Sequence, residues 1–339
     1  MLPNLFFNGM RNDHLIWLSA CLYYAEDLHG FLRDAVDPFI RRVMDRELVA
    51  QFFFIRYWEK GTHIRLRLRG DETLIETVLK PELEAFFEAY YHNKPSVRGR
   101  NFRLDQYKDA SQWAPNNSVQ FMPYEPEIER YGGLAGMKVA EQQFELSSRI
   151  ALDILCAYPY DYQRLTGIAI QLQLALMYAC GCTPEKVVAL SDTICRAWLP
   201  NAQAWLVTAE PDSRYQHREN VLVLYAARFE QHRNFYVTYV GELWDALCSG
   251  QAFEEAWMNR WIDGMKNIYT QLRELYVAGR LHVTGERSGA EETINAVLES
   301  YIHMMNNRLG ILNREESYIA YIIGRSVKEN ARLRGAEQQ

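Results

Sequence analysis

Seven consecutive residues constrain this chain more than any others: His63-Ile64-Arg65-Leu66-Arg67-Leu68-Arg69. Strict polar–apolar alternation has the two-residue period of an extended strand, not the 3.6-residue period of a helix. Ile64, Leu66 and Leu68 therefore share one face, and His63, Arg65, Arg67 and Arg69 the other. Same-face positions recur about every 6.6–6.8 Å along a strand. Arginines at that spacing repel one another unless anions stand near them, and the planar guanidinium fork suits carboxylate or phosphate. Spacing alone does not exclude the simpler reading, a solvated face paired with Glu and Asp of neighbouring helices.

The run just before it, Gln51 to Trp58, also reads as a strand, and Glu59-Lys60-Gly61 between them signals a hairpin. Pairing Trp58 with His63 would set Arg56 opposite Arg65 on the arginine face. Leu15 to Tyr24 is a buried-strand candidate. Glu26 to Arg46 carries a helical stripe of Leu28, Leu32, Val36, Phe39, Ile40 and Val43, and Asp71 to Tyr91 is helical with Asp71 as its N-cap. Pro95 to Asn117 lacks periodicity and reads as a long loop, and Ser118 to Met122 as a last short strand. The order β-α-β-β-α-β is that of a ferredoxin-like antiparallel sheet. From Gly136 onward the signals are helical: Met137–Ala157, Tyr162–Cys180, Pro184–Trp198, Arg218–Ala246, Ala252–Ala278, Ala290–Leu309 and Ser317–Arg334, with Gly335–Gln339 expected to fray. The expected class is α+β, a small sheet with helices feeding a mostly helical half. No Gly/Pro/Ser linker separates the halves, so one continuous unit is expected.

Composition narrows the function. Lys+Arg 37 against Asp+Glu 43 gives a net charge of −6, which argues against bulk attraction to nucleic acid or an anionic membrane. The most apolar stretch, Ile168–Ala179, contains Gln171 and Gln173 and is too short to span a bilayer. Met1–Gly9 lacks a basic segment followed by a long apolar one, so no signal peptide is expected and the location reads as cytoplasmic. Cys180 and Cys182 form only C-x-C, without a second pair at zinc spacing, so the six cysteines read as buried free thiols. Phosphate-loop, dinucleotide, zinc-protease and nucleophile-elbow signatures are absent from the sequence. No metal and no organic cofactor is expected.

Two further segments carry polar chemistry. Tyr124-Glu125-Pro126-Glu127-Ile128-Glu129-Arg130-Tyr131-Gly132-Gly133 could bring Arg130 to the anion face, or could be a loop in which Glu127 or Glu129 pairs with Arg130. In Tyr301-Ile302-His303-Met304-Met305-Asn306-Asn307-Arg308-Leu309-Gly310, His303 shares a helix face with Asn306 and Asn307, and Gly310 is a C-cap signal. Histidine titrates near neutrality and can move a proton, although a lone histidine is more often a packed structural residue.

Taken in order, FFIRYWEKGTHIRLRLRG, YEPEIERYGG and HMMNNRLG, with WLSACLYYAEDLHGFLRDAVDPFI ahead of them, resemble the C-terminal glutamate-elimination domain of class I lantibiotic dehydratases, which also occurs as stand-alone proteins in thiopeptide-type bacteriocin clusters. The resemblance runs from about Trp17 to Leu312. It implies a single elimination-type domain over 1–339, with a sheet-rich part at 1–135 and a helical part at 136–339. It also implies an activity: expulsion of glutamate from a glutamylated Ser or Thr of a ribosomal precursor peptide, leaving dehydroalanine or dehydrobutyrine. Matched motif to motif, the family's functional residues fall on Arg65, Arg67, Arg130 and His303. His303 would be the base, and the arginines would hold the leaving glutamate and the developing negative charge. Arg56, His63, Arg69, Tyr124, Tyr131, Asn306 and Arg308 are the neighbouring side chains expected to contact substrate. The family's tRNA-dependent glutamylation domain has no match here, so a separate subunit would act first. A homodimer is left open. Two alternatives share this fold: a pyridine-forming [4+2] cycloaddition enzyme of thiopeptide biosynthesis acting on a dehydrated peptide, and a non-catalytic peptide-binding subunit that would not need His303.

Overall fold

A computed structural model of the chain describes residues 14–98, 113–206, 214–285 and 287–337. It divides into two compact units, Met1–Pro126 with Leu155–Ala157, and Glu127–Ile154 with Tyr158–Gln339.

The first unit is built on four strands: β1 (Leu15–Tyr23), β2 (Gln51–Tyr57), β3 (His63–Asp71) and β4 (Ser118–Phe121). They pair antiparallel in the order β2-β3-β1-β4, the split βαβ arrangement that the element order predicts. Helix α1 runs through Leu28–Phe31, Leu32–Val36 and Asp37–Asp45, and α2 through Glu72–Leu74, Ile75–Leu79 and Lys80–Asn93. Their N-caps are aspartates: Asp27 accepts from the His29 N–H and Asp71 from the Leu74 N–H. In each helix the middle segment is a π-turn, and in each it precedes a proline, Pro38 or Pro81. A proline has no N–H and its ring crowds the carbonyl four residues back, and the wider turn accommodates both. Periodicity alone reads these helices as uninterrupted.

One face of the sheet is apolar: Leu18, Ala20, Leu22, Phe52, Phe54, Ile64, Leu66 and Leu68 are all buried. The apolar stripes of α1 and α2 are buried in the same unit and meet through Phe31–Phe87 and Phe39–Phe87 ring contacts. Most of the expected loop, residues 99–112, lies outside the described residues. At its two ends, Ser96 is tied to Asn117 Oδ1 through its N–H (3.0 Å) and its hydroxyl (2.7 Å).

The second unit contains eight described helices: α3 (Gly133–Ala157, whose last three residues group with the first unit), α4 (Tyr162–Ala179), α5 (Pro184–Leu206), α6 (Arg214–Gln231), α7 (Arg233–Ser249), α8 (Ala256–Val277), α9 (Ala290–Leu309) and α10 (Asn313–Glu337). The stripe expected as one helix over Arg218–Ala246 is broken at His232, which caps α7. The helix expected to stop at Trp198 continues through Pro200 to Leu206, and the expected fraying from Gly335 gives way to helix as far as Glu337. Entry into α3 requires glycine at 136, where a Cβ would collide with the Tyr131 carbonyl oxygen. α9 ends as expected at Gly310, whose φ of 86° lets its N–H return to the carbonyls of Asn306 and Asn307. Of the six free cysteines, Cys21, Cys180 and Cys195 are buried and Cys248 is exposed, so the expectation of burial holds for only some of them. Among the described residues no helix is long and apolar enough to cross a membrane.

Candidate functional site

β3 lies between β1 and β2, so each polar residue of its arginine face has a cross-strand neighbour on both sides. Tyr23 and Tyr57 flank His63, Cys21 and Ile55 flank Arg65, Ser19 and Phe53 flank Arg67, and Trp17 and Gln51 flank Arg69. The four side chains differ in how their polar atoms are satisfied. His63 is buried and its Nδ1 stands 2.7 Å from the Gly61 carbonyl. A carbonyl only accepts, so Nδ1 carries the proton and Nε2 presents its lone pair to Arg65 Nε at 3.3 Å. Burial lowers the His63 pKa to about 4, against the pull of the Gly61 carbonyl and helped by Arg65 and Arg67, so the ring is neutral at pH 7. Arg65 also stacks on Tyr57, 3.5 Å from the ring centre, and pairs with Glu59 at 3.5 Å.

Arg67 is different. It is 8% exposed, and its Nε and Nη1 are buried with no hydrogen-bond partner among the described residues. Burial lowers its pKa to about 10, with Cys21 pulling it up and Arg65 pushing it down, which leaves it charged at neutral pH. A buried charge without matched acceptors is costly unless something supplies them. Trp17, Phe53 and Tyr124 form an edge-packed aromatic cluster beside it, with the Tyr124 ring centre 5.5 Å from the guanidinium carbon. Arg69 is half-buried, with its guanidinium 5.9 Å from the Trp17 ring centre.

Arg56 is not on this face. The register sets Tyr57, not Trp58, opposite His63, which puts Ile55 across from Arg65 and Arg56 across from Ile64 on the helix-covered side. There Arg56 contributes to lowering the pKa of buried His29, after burial itself. A one-residue change of register moves every side chain to the opposite face. The five-residue connection, with Lys60 at φ 60° and Gly61 at φ 118°, sets the register here.

In the second unit, Arg130 and His303 come together on one face of α9. Arg130 Nε donates to Ser300 Oγ (3.0 Å), one turn before His303, and its Nη1 donates to Glu127 Oε2 (3.0 Å). Burial disfavours the Arg130 charge, but Tyr131, Glu127 and Glu299 outweigh it and raise the pKa. His303 Nδ1 lies 2.9 Å and 3.1 Å from the two carboxylate oxygens of Glu316 on α10. With Nδ1–H donating to the carboxylate, Nε2 is the basic nitrogen. Glu316 is buried, which raises its pKa, while His303, Asn306 and Arg130 lower it. Asn306 Nδ2 donates to Glu316 Oε2 (3.1 Å), and Gln173 Nε2 donates to Asn306 Oδ1 (3.1 Å). The Trp198 ring stacks on His303 with centres 4.1 Å apart and planes 22° apart.

Tyr131 and Arg308, both expected at substrate, are buried within the second unit. Tyr131 stacks on Tyr301 and meets the edge of Phe144, and burial raises its pKa to about 12. Arg308 is fully buried, donates to Ser148 Oγ and the Met304 carbonyl, and has its pKa lowered to about 9 by burial. Asn306 spends its amide on Glu316 and Gln173 rather than facing outward. Sequence reasoning missed Glu316, Trp198 and Gln173. Glu316 had one signal: it is an acid in the first turn after the Gly310 stop, close in sequence to His303, the one histidine of α9. The arginine strand and the His303 cluster each have this internal geometry within their own unit. Among the described residues, no group of three His, Cys, Asp or Glu side chains is arranged to hold a metal.

The fold resembles that of the pyridine synthase TbtD from thiomuracin biosynthesis, with a TM-score of 0.70 and 16% identity over 92% of this chain and 98% of that one. It also resembles TsrL, with a TM-score of 0.67 and 17% identity over 94% and 95% of the two chains. Against the tRNA-dependent lantibiotic dehydratase MibB from Microbispora sp. 107891 the TM-score is 0.56 at 20% identity, over 96% of this chain and 29% of that protein. Among curated proteins none matches the sequence. The ordered motifs of the sequence find their counterpart in a family model described as the C-terminal region of the lantibiotic biosynthesis dehydratase, which matches residues 17–327, and the chain belongs to that family.

Proposed function

We propose that the protein eliminates glutamate from glutamylated Ser or Thr side chains of a ribosomal precursor peptide. The observation that carries this reading is Arg67, a buried guanidinium with two nitrogens, Nε and Nη1, that the described residues do not match. Such a group calls for an anionic substrate, and the leaving glutamate is one. Nε2 of His303 takes the Cα proton, and the Cα–H electrons form the Cα=Cβ bond. The Cβ–O bond breaks, and glutamate departs as a carboxylate. Glu316 orients the imidazole and stabilises its protonated form, as a carboxylate behind a general base does. Arg65 and Arg67 receive the leaving carboxylate. Arg130 adds positive charge for the enolate-like oxygen. On this reading the peptide arrives already glutamylated by a tRNA-dependent subunit.

Pyridine formation is the second reading, favoured by the near-complete overlap with the pyridine synthase TbtD. One experiment separates them. Purified protein is incubated with a glutamylated peptide, a dehydrated peptide and the unmodified peptide, and the products are weighed by mass spectrometry. Elimination predicts free glutamate and a dehydroamino acid from the first peptide alone. A cyclised product from the dehydrated peptide, with the glutamylated one untouched, would transfer the assignment to the second reading.

A further inference from the structure

We propose that Ser19 and Arg67 together form a carboxylate-binding subsite on the sheet, with the Ser19 hydroxyl as its second donor. This deepens the elimination reading and rests on it for the origin of the carboxylate. Ser19 lies directly across from Arg67 in the β1–β3 register, so both side chains rise from the same face as immediate neighbours. Both are buried, Ser19 at 3% and Arg67 at 8% exposure. Both carry buried polar atoms with no hydrogen-bond partner among the described residues: Ser19 Oγ, and Arg67 Nε and Nη1. A single unmatched hydroxyl is commonly served by a buried water. A hydroxyl and a guanidinium unmatched side by side ask for a ligand that accepts from both.

The surroundings select the ligand's chemistry. No Asp or Glu occupies this face of β1, β2 or β4, and Asp71 at the end of β3 lies four residues from Arg67 with its carboxylate capping α2 through the Leu74 N–H. The neighbouring Cys21 thiol is directed to Met122 Sδ at 3.6 Å and does not compete. Phe53 stands on the far side of Arg67, with Tyr124 and Trp17 packed against Phe53. Apolar ring edges beside two donors suit a planar anion with two acceptor oxygens better than a tetrahedral one that needs donors all round. Arg65 is served differently, by Glu59, His63 and the Tyr57 ring. Arg67 is thus the seat of the carboxylate, and Arg65 stands beside it.

The test is calorimetric titration of the full chain with glutarate and, separately, with inorganic phosphate, alongside thermal unfolding. Glutarate should bind the native protein more tightly than phosphate. Ser19→Ala should weaken glutarate about tenfold, the effect of losing one hydrogen bond to a charged group. Its melting temperature should hold or rise, because an unmatched buried hydroxyl is removed. Ser19→Thr, which keeps the hydroxyl on a β-branched residue suited to a strand, should restore binding, and Arg67→Lys should weaken it at least as much as Ser19→Ala. Unchanged glutarate affinity in Ser19→Ala, phosphate binding as tight as glutarate, or no glutarate binding at all would overturn the subsite. The two readings fail separately. Ser19-dependent glutarate binding in a protein that leaves glutamylated peptide intact keeps the subsite and removes elimination, and glutamate release with Ser19-independent binding does the reverse.

Discussion

Arg67 and Arg130 are both buried or half-buried arginines proposed to meet negative charge, yet the two units treat them in opposite ways. Arg130 has an internal answer for its guanidinium: Glu127 and Ser300 accept from it, and Glu299 lies within electrostatic reach. Arg67 has none on its sheet face, and its neighbours are a hydroxyl and aromatic rings. The Arg130–His303 cluster therefore has its charges matched within the chain, with His303 held by Glu316 and stacked on Trp198. The sheet unit carries a buried guanidinium with two nitrogens that the described residues leave unmatched, which the proposed ligand would complete. A site organised to move a proton needs its geometry fixed in advance, whereas one organised to seat an anion gains affinity by leaving donors unmatched.

The sharpest break between the two regions would come from His303. His303→Ala should lower glutamate release by a factor of about 10² to 10⁴, the range for losing a general base, while the peptide still binds. His303→Phe should do the same without opening a cavity, and residual turnover close to native would remove the base from the helical unit. Next, Arg67→Lys keeps charge but loses the fork, and release should fall about 100-fold with glutamylated peptide accumulating. Arg65→Lys should cost less, about tenfold, since Arg65 is partly matched within the chain. Equal effects at 65 and 67 would erase the distinction drawn on the sheet, and normal turnover in Arg67→Lys and Arg67→Ala would sink the assignment. Glu316→Gln should lower release roughly tenfold to 100-fold and change its pH profile, because an amide cannot stabilise the protonated ring as a carboxylate does. An unaltered profile would make Glu316 a packing residue.

The smallest expected effect is on stability. His63 is neutral in the folded state down to about pH 4, below its ordinary 6.5. Between those values the unfolded chain takes up a proton that the folded chain refuses. Stability is thus fully present above pH 6.5 and falls as pH drops towards 4, by up to about 3 kcal/mol. Urea unfolding midpoints across pH 4 to 7 should show this slope in the native protein and a shallower one in His63→Gln. Parallel curves would mean that the imidazole is not the buried neutral group that holds Arg65.

Much of this was legible in the sequence, for identifiable reasons. The β3 strand and its two faces follow from a period of two, and the β-α-β-β-α-β order follows from punctuation between periodic segments. The register was not legible. The punctuation permits either a five-residue turn with Tyr57 opposite His63 or a four-residue turn with Trp58 there, and the choice rests on backbone angles at Lys60 and Gly61 that the side-chain pattern does not set. The π-turns before Pro38 and Pro81 were hidden because the apolar stripe continues through them. Arg130 and His303 stood out by residue type, but their partners did not. Glu316 reads as an ordinary acid in the first turn of a helix, and Trp198 and Gln173 lie too far along the chain to be linked to His303 by spacing.

The Gly310 turn has a consequence for the order in which these features form. His303 and Glu316 are only 13 residues apart, on consecutive helices joined at that turn. The loop that their contact closes is short, so its entropic cost is low, and a helical hairpin alone can assemble the pair. Ser19 and Arg67 lie on strands separated by a helix and a hairpin, and they meet only when the sheet itself has formed. A local opening that parts the strands would scatter the proposed anion seat while His303 and Glu316 stay together, so the two parts of the proposed site differ in how much of the native structure must survive for each to exist.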